Sequence, residues 1–468
     1  MTPEEAVADF SDKLIYDMLP EQVVSAVKRI TLNTLAAMIA GSSAHSVLNL
    51  SELVRSWKGK QETSIFLHSA KVPMVEAALV NAAMARAMDF DDFHMETGIH
   101  ASSTAIPTAL AVAGAIPAVS GKSYIAAVAA GCEVMCRMRT VPDQCIGVSG
   151  WTGEIYGTFG AALTAAKLLG LESEAVSRSL GLAYAQSAGT SQAIYDGSEA
   201  TCLQQGFATR AGLLATLLAR SGLSGARNFL TGKAGLYPVY YRGMAYQIER
   251  LADSLGDRYL LLGIATKPYP ACGFTMAPIE NAIGLVTDHG IEASDIERVE
   301  IKVNKKMHAT VCAPAQSKYR PTSPADALFS MPYAVATAFL NRDVRLEDFD
   351  ESALKQPDRL KFMQRINIVK DENIEQEAIE TNRPLGTHHM EIVCKDGRRF
   401  GRKLRYATGF PEKPMTLGQC AAKAKKVLGF AASPVDPESI DSLKEMVENL
   451  ESVKDVGVLF DSLSGFGS

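Results

Sequence analysis

The densest run of ionisable side chains is residues 88 to 103, MDFDDFHMETGIHASS, which sets Asp89, Asp91, Asp92, His94, Glu96 and His100 between an Ala-rich stretch and an apolar one. Solvation explains charges in a loop, but not two histidines flanked by apolar sequence. Loops held on a rigid scaffold are where binding and catalytic groups concentrate. Two chemistries fit these residue types. A carboxylate beside an imidazole makes an acid/base pair, histidine being the side chain whose ordinary pKa lies nearest neutrality. Alternatively the carboxylates hold a divalent cation, Asp91-Asp92 with Glu96 giving a weak aspartate-rich pattern. No second motif of the form N-D-x-x-S-x-x-x-E follows downstream, so the expectation is acid/base chemistry without a metal.

Three further places carry candidate groups. Residues 150 to 171, GWTGEIYGTFGAALTAAKLLGL, hold four glycines in their first eleven positions but no G-x-x-x-x-G-K-[ST], so the glycines are expected to permit close helix packing rather than to cradle phosphate. Glu154 and Tyr156 remain pocket candidates there. At residues 266 to 276, TKPYPACGFTM, two prolines fix the backbone around Lys267 where the sequence changes character; pockets favour domain boundaries, and a lysine there is either a carboxylate ligand or an exposed hinge residue. In PTSPADALFSMPYAVATAFL, residues 321 to 340, Tyr333 follows Pro332 inside an apolar helical stretch. It is either a core tyrosine or a proton donor.

The elements that must position these groups follow from hydrophobic periodicity. Residues 1 to about 265 are Ala- and Leu-rich at helical spacing: helices are predicted over 22–40, closed by Gly41 as a C-cap, over 72–88, and over 161–169, closed by Gly170. The apolar stretch 101–130, broken by Pro107, Pro117, Gly121 and Lys122, reads as two buried helices and not as a membrane span. Many such faces bury only against one another, which predicts a helical bundle. Beyond residue 265, residues 296–304 alternate apolar and polar with period two, and residues 388–405 read as two strands joined at Asp396-Gly397. Helix is expected over 324–339 and again over 417–428. The reading is mostly α: a large all-α domain (1–266), a smaller α+β domain (267–405) inserted before the C-terminal helices, and a return to the helical domain (406–468).

Composition bounds the partners. Hydrophobic residues are 47% and charged residues 21% of 468, ordinary globular usage. Lys and Arg total 47 against 52 Asp and Glu, and no basic run stands out, so no nucleic-acid partner is expected. The eight scattered cysteines include no Cys-x-x-Cys, and the opening MTPEEAVADF is acidic where a targeting peptide is basic. A cytoplasmic protein with reduced thiols is the expectation.

Taken together, these pieces resemble the MmgE/PrpD family, which includes 2-methylcitrate dehydratase, cis-aconitate decarboxylase and iminodisuccinate epimerase. The resemblance runs through LNTLAAMIAG, MDFDD with a following His, GTFGAALTAAKLLGL, GFATRAGLLATLLARSGLSGARNFLTGKAG, KPYPACGFT, FSMPYAVATAFL and GFPEKPMT, in the family's order. It implies a large all-α domain with a smaller α+β lid, a homodimer, a pocket between the domains, and catalysis without metal or organic cofactor. Carried over by position, it implies catalytic roles for Asp89, His100, Lys267 and Tyr333. The sequence also departs from the decarboxylase and dehydratase pattern: Gly150-Trp151-Thr152 has no histidine, Thr201, Cys202 and Leu203 stand where a lysine is usual, and Met276 replaces a frequent histidine.

The family's shared chemistry moves a proton at a carbon beside a carboxylate. The expectation is therefore a lyase on a small hydroxy- or unsaturated di- or tricarboxylate, 2-methylcitrate-dehydratase-like, with His100 as acid/base, Asp89 orienting its ring, Lys267 facing the carboxylate and Tyr333 as proton donor. His94, Asp92, Tyr156 and Glu154 are the expected substrate-binding groups. An epimerase of a dicarboxylate such as iminodisuccinate, using His94 or Tyr156 as a second base, a cis-aconitate-type decarboxylase, and a non-catalytic ligand-binding member are the alternatives.

Overall fold

The computed structural model describes residues 1–143, 150–381 and 384–459; Cys145 and the last residues of the expected C-terminal segment lie outside them. The chain divides into two compact units, residues 1–266 with 416–468, and residues 267–415. The longer helices of the first unit are α1 (Pro3–Lys13), α2 (Glu21–Gly41), α3 (His45–Ser56), α4 (Met74–Arg86), α5 (Ser102–Ala115), α6 (Gly121–Thr140), α7 (Glu154–Leu168), α8 (Ser173–Tyr184) and α9 (Ala200–Arg220). The second unit adds α10 (Met276–His289) and α11 (Met331–Asn341), and the chain returns to the first with α12 (Leu417–Lys426) and α13 (Pro437–Glu448).

The first unit is a helical bundle, with α9 packed against α4, α7 and α8, and α2 against α4 and α12. Its only strands among the described residues are short: β1 (Thr63–Ile65) with β2 (Ala70–Val72), and β3 (Phe93–His94) with β4 (Ile264–Ala265). Close helix crossings depend on missing side chains. A Cβ on Gly160 of α7 would lie 2.0 Å from the Met135 sulfur of α6. Gly41 departs from its expected role: it is the last helical residue of α2, Ser42 caps the helix in right-handed conformation, and a Cβ on Gly41 would meet the Met84 carbonyl of α4 at 2.1 Å. The glycine there serves helix approach, not helix termination. Gly170, at φ +67°, ends α7 in the left-handed conformation as read from the sequence. By length and hydropathy α2 could cross a membrane, yet it is mostly buried inside the bundle.

The second unit is built on a four-stranded sheet in the order β6-β5-β7-β8, comprising β5 (Ile296–Val303), β6 (Ile366–Lys370), β7 (His388–Cys394) and β8 (Arg399–Leu404). β6 runs parallel to β5, and the other pairings are antiparallel. The buried side chains of β5 are Ile296, Val299, Ile301 and Val303; the three-residue step follows from an irregularity in pairing between Ile296 and Arg298 that turns two consecutive residues outward. The single helix expected over 324–339 is two, Pro324–Leu328 and α11, because the Ser330 hydroxyl caps the Tyr333 amide and Pro332 sits in the first turn.

α10 is tied to this sheet by a buried imidazole. His388 Nδ1 donates to the Gly386 carbonyl at 2.9 Å, and Nε2 accepts from Asn281 Nδ2 at 2.9 Å. Burial pushes the ring down from 6.5 to about 4, against the opposing effect of the carbonyl. The unfolded chain takes up a proton here below pH 6.5 that the folded chain refuses. Stability is therefore lost as pH falls from about 6.5 towards about 4, by up to about 3 kcal/mol. Urea midpoints at pH 7 and pH 4.5 should show a larger loss for the wild type than for His388→Gln; equal losses would place the acid sensitivity elsewhere.

Candidate active site

The loop that follows α4 begins with a residue in left-handed conformation, Asp89 at φ +46°, one of the few non-glycine types that tolerate it. The turn points the Asp89 side chain back at the helix end, where its Oδ1 accepts from Arg86 Nη1 at 2.6 Å. Two residues on, Asp91 is fully buried, and its Oδ2 accepts from His100 Nδ1 at 2.9 Å and from Ser103 Oγ at 2.5 Å. Its Oδ1 lies 3.6 Å from Arg86 Nη1. The imidazole is thus oriented by Asp91 and not by Asp89. Asp89 and Asp91 are two residues apart and would share one face of an extended segment, so spacing alone does not separate them; the left-handed turn at Asp89 decides which carboxylate meets the histidine.

Arg86 is the counter-charge of this cluster. Burial pulls the guanidinium pKa down, but Asp91, Asp89 and Glu154 more than offset it, so the pKa is raised and the charge is permanent. A cation at this distance favours the carboxylate form of Asp91. A carboxylate has no proton to give, so the shared hydrogen on His100 belongs to Nδ1 and the lone pair of the neutral ring is on Nε2. No partner for Nε2 is found among the described residues, and the side chain is 15% exposed. The His100 backbone is held from α9, where buried Gln205 donates to the His100 carbonyl at 3.3 Å and to the Thr104 hydroxyl.

The neighbouring candidates take other roles. His94 is buried; its Nε2 donates to the Leu260 carbonyl at 2.9 Å and its Nδ1 accepts from the Thr97 hydroxyl at 3.0 Å. Burial lowers its pKa despite that carbonyl, so it is a neutral clamp beside the β3–β4 pairing with both nitrogens committed. Tyr156 is likewise buried, its hydroxyl 2.6 Å from that of Tyr241, and burial raises its pKa well above the ordinary value. Glu154 opens α7, buried in the field of Arg86. The Asp92 carboxyl is fully buried and accepts from Asn33; burial pushes it up to about 7 against the opposing pull of Lys423. Where the departures from the family pattern fall, Trp151 stacks on Tyr240 at 4.5 Å and Cys202 donates to the Glu199 carbonyl.

In the second unit, Lys267 is buried, which removes the exposed-hinge alternative. Tyr333 is also buried, but its hydroxyl donates to the Asp348 carbonyl and accepts from Arg359, whose guanidinium also bonds the Asp348 carboxylate at 2.7 Å. That hydroxyl is engaged within the core of its own unit.

Sequence reasoning missed Arg86, Asp91 as the orienting carboxylate, Ser103, Gln205 and the network behind Asp92. A signal existed for Arg86: it is the one charged residue between Glu76 and Asp89 in an apolar helix, and a buried guanidinium requires carboxylates. Among the described residues no group of three or more His, Cys, Asp or Glu is arranged to hold a metal ion.

Comparison with known proteins agrees with this architecture over nearly the whole chain. Residues 5–249 match the MmgE/PrpD N-terminal domain and residues 269–451 the MmgE/PrpD C-terminal domain. A cis-aconitate decarboxylase of Aspergillus terreus is 24% identical, over 98% of this chain and 95% of its own length. A human cis-aconitate decarboxylase is 24% identical over 96% of this chain and 91% of its own. A cis-aconitate decarboxylase-like protein of Aspergillus oryzae is 23% identical over 96% and 94%. With both domain models matched in order and together spanning most of its length, the chain belongs to the MmgE/PrpD family.

Proposed function

We propose that the protein is a lyase acting on a small di- or tricarboxylate, and that His100 moves a proton at the carbon beside a carboxylate. The observation that carries this reading is the His100 imidazole, oriented through Nδ1 by a buried, arginine-paired carboxylate and open at Nε2. The carbon acid is weak, and a positioned base contributes about 10² to 10⁴ in rate. In dehydration, Nε2 takes the proton, the C–H and C–O bonds break, a C=C bond forms, and the imidazolium returns the proton to the departing hydroxyl as water leaves. Asp91 stabilises the imidazolium between the two transfers. Lys267, on the family resemblance, is the cation for the substrate carboxylate.

An epimerase needs two bases on opposite faces of one carbon. The two candidates for the second, His94 and Tyr156, are engaged in internal hydrogen bonds, which favours one-base chemistry. Decarboxylation is the second reading, favoured by the full-length similarity to cis-aconitate decarboxylases. It uses the same group in the opposite sense: the C–C bond breaks, carbon dioxide leaves, and protonated His100 delivers its proton to carbon. The departures at Thr152 and Thr201 fall on a pattern that decarboxylases and dehydratases share, so they bear on which acid is bound and not on which bond breaks.

NMR in deuterium oxide with citrate, 2-methylcitrate, cis-aconitate and iminodisuccinate separates these outcomes. Dehydration gives a new olefinic signal from a hydroxy acid, and decarboxylation gives gas release with solvent deuterium in the product. Exchange at an α-carbon with inversion and no other product would overturn the lyase reading.

On whichever substrate turns over, His100→Ala should lower kcat by about 10² to 10⁴ with little change in KM. Asp91→Asn should approach that loss by favouring the wrong tautomer, whereas Asp89→Asn should cost about tenfold or less. Lys267→Ala should raise KM as well as lower kcat, since a cation facing a carboxylate also stabilises the bound ground state. Equal losses in Asp89→Asn and Asp91→Asn would defeat the assignment.

A further inference from the structure

The Asp91 carboxylate sits in a stretch of irregular backbone, and the two residues that flank it are both gripped by one buried lysine from the far end of the chain. Lys423, on α12, is 4% exposed. Its Nζ donates to the Phe90 carbonyl at 2.6 Å and stands 3.6 Å from the centre of the Phe90 ring. It also donates to Asn33 Oδ1 at 2.7 Å, and the Asn33 amide in turn donates to Asp92 Oδ1. One flanking residue is therefore held directly and the other through a single side chain of α2.

We propose that Lys423 is a positioning residue for the acid/base pair: it clamps Phe90 and, through Asn33, Asp92, and so fixes the intervening Asp91 carboxylate that orients His100. The inference rests on the reading of Asp91 and His100 as that pair. Three features support it. A fully buried ammonium is rare unless several acceptors surround it, and the Phe90 carbonyl and Asn33 Oδ1 that this one bonds belong to or serve the loop. The other lysines at the end of α12, Lys425 and Lys426, are exposed, so the helix carries one cation inward and the rest outward. Burial raises the Asp92 pKa, so this carboxyl can hold a proton while Asn33 binds its Oδ1. The ammonium then serves to hold the loop rather than to neutralise a fixed anion. A misplacement of about 1 Å in such a group costs roughly 10² in rate.

The test reads His100 directly and needs no substrate. In protein labelled with ¹⁵N in its imidazoles, long-range ¹H–¹⁵N correlation reports which ring nitrogen carries the proton, and the His100 signals are identified by their loss in His100→Gln. The wild type should show the Nδ1–H tautomer. Lys423→Met should shift His100 to a mixture with at least about a third Nε2–H, and Lys423→Arg should restore the wild-type tautomer. Because Lys423→Met strands a buried carboxyl, the double variant Asp92→Asn/Lys423→Met provides a folded comparison, checked by circular dichroism and a cooperative melt, and should show the same mixture. Retention of the pure Nδ1–H tautomer in the folded double variant would overturn the role of Lys423 while leaving the Asp91–His100 pair intact. An Nε2–H tautomer in the wild type would overturn both.

Discussion

The arrangement depends on one carboxylate oxygen accepting two hydrogen bonds in the interior of a helical bundle. Asp91 Oδ2 receives the His100 ring and the Ser103 hydroxyl, and the charge this requires is balanced by Arg86. Remove the guanidinium and burial would drive the carboxyl to take up a proton, which would compete with Nδ1 of the ring. The end of α4, the left-handed turn at Asp89 and the start of α5 are therefore one hydrogen-bonded and ion-paired assembly, with the arginine, the two aspartates, the histidine and the serine within eighteen residues of sequence.

Surrounding helices serve that assembly by restricting it. α9 holds the His100 carbonyl through Gln205, the β3–β4 pairing is braced by a neutral His94, and α2 and α12 close on the loop from behind through Asn33 and Lys423. The last of these ties the helix that returns to the first unit after residue 415 to the loop that carries Asp91. Close packing lets these constraints act, since glycines at helix crossings leave no slack for side chains to take up.

Much of the fold was legible in the sequence because periodicity reports burial directly. The helices read over 22–40, 72–88 and 417–428, the β5 strand and the β7–β8 hairpin lie within a few residues of where their patterns predict them, whereas α7 begins at Glu154, well before its expected start, and α6 runs on to Thr140. What periodicity does not report is what a residue touches. Gly41 has the position of a cap and the function of a packing contact, the consecutive Glu297 and Arg298 mark an irregular pairing that a period-two reading of β5 passes over, and β6 gave no signal strong enough to be read. The same limit governed the site. The cluster and its histidine were visible as residue types, but the choice between Asp89 and Asp91 turns on one backbone dihedral, and the inward lysine of α12 is chemically the same as the exposed ones beside it. The hydrogen bonds that His94 makes to Leu260, Tyr156 to Tyr241 and Tyr333 to Asp348 join residues that spacing alone does not bring together.

The central claim is that Asp91, and not Asp89, determines which nitrogen of His100 is free to take a proton. The tautomer of His100 in Asp91→Asn and Asp89→Asn, read by ¹H–¹⁵N correlation at a pH where the ring is neutral, tests it most directly. The account predicts that Asp89→Asn keeps the proton on Nδ1 while Asp91→Asn moves a substantial share of it to Nε2. The opposite pattern, with the tautomer disturbed by Asp89→Asn and untouched by Asp91→Asn, would contradict it.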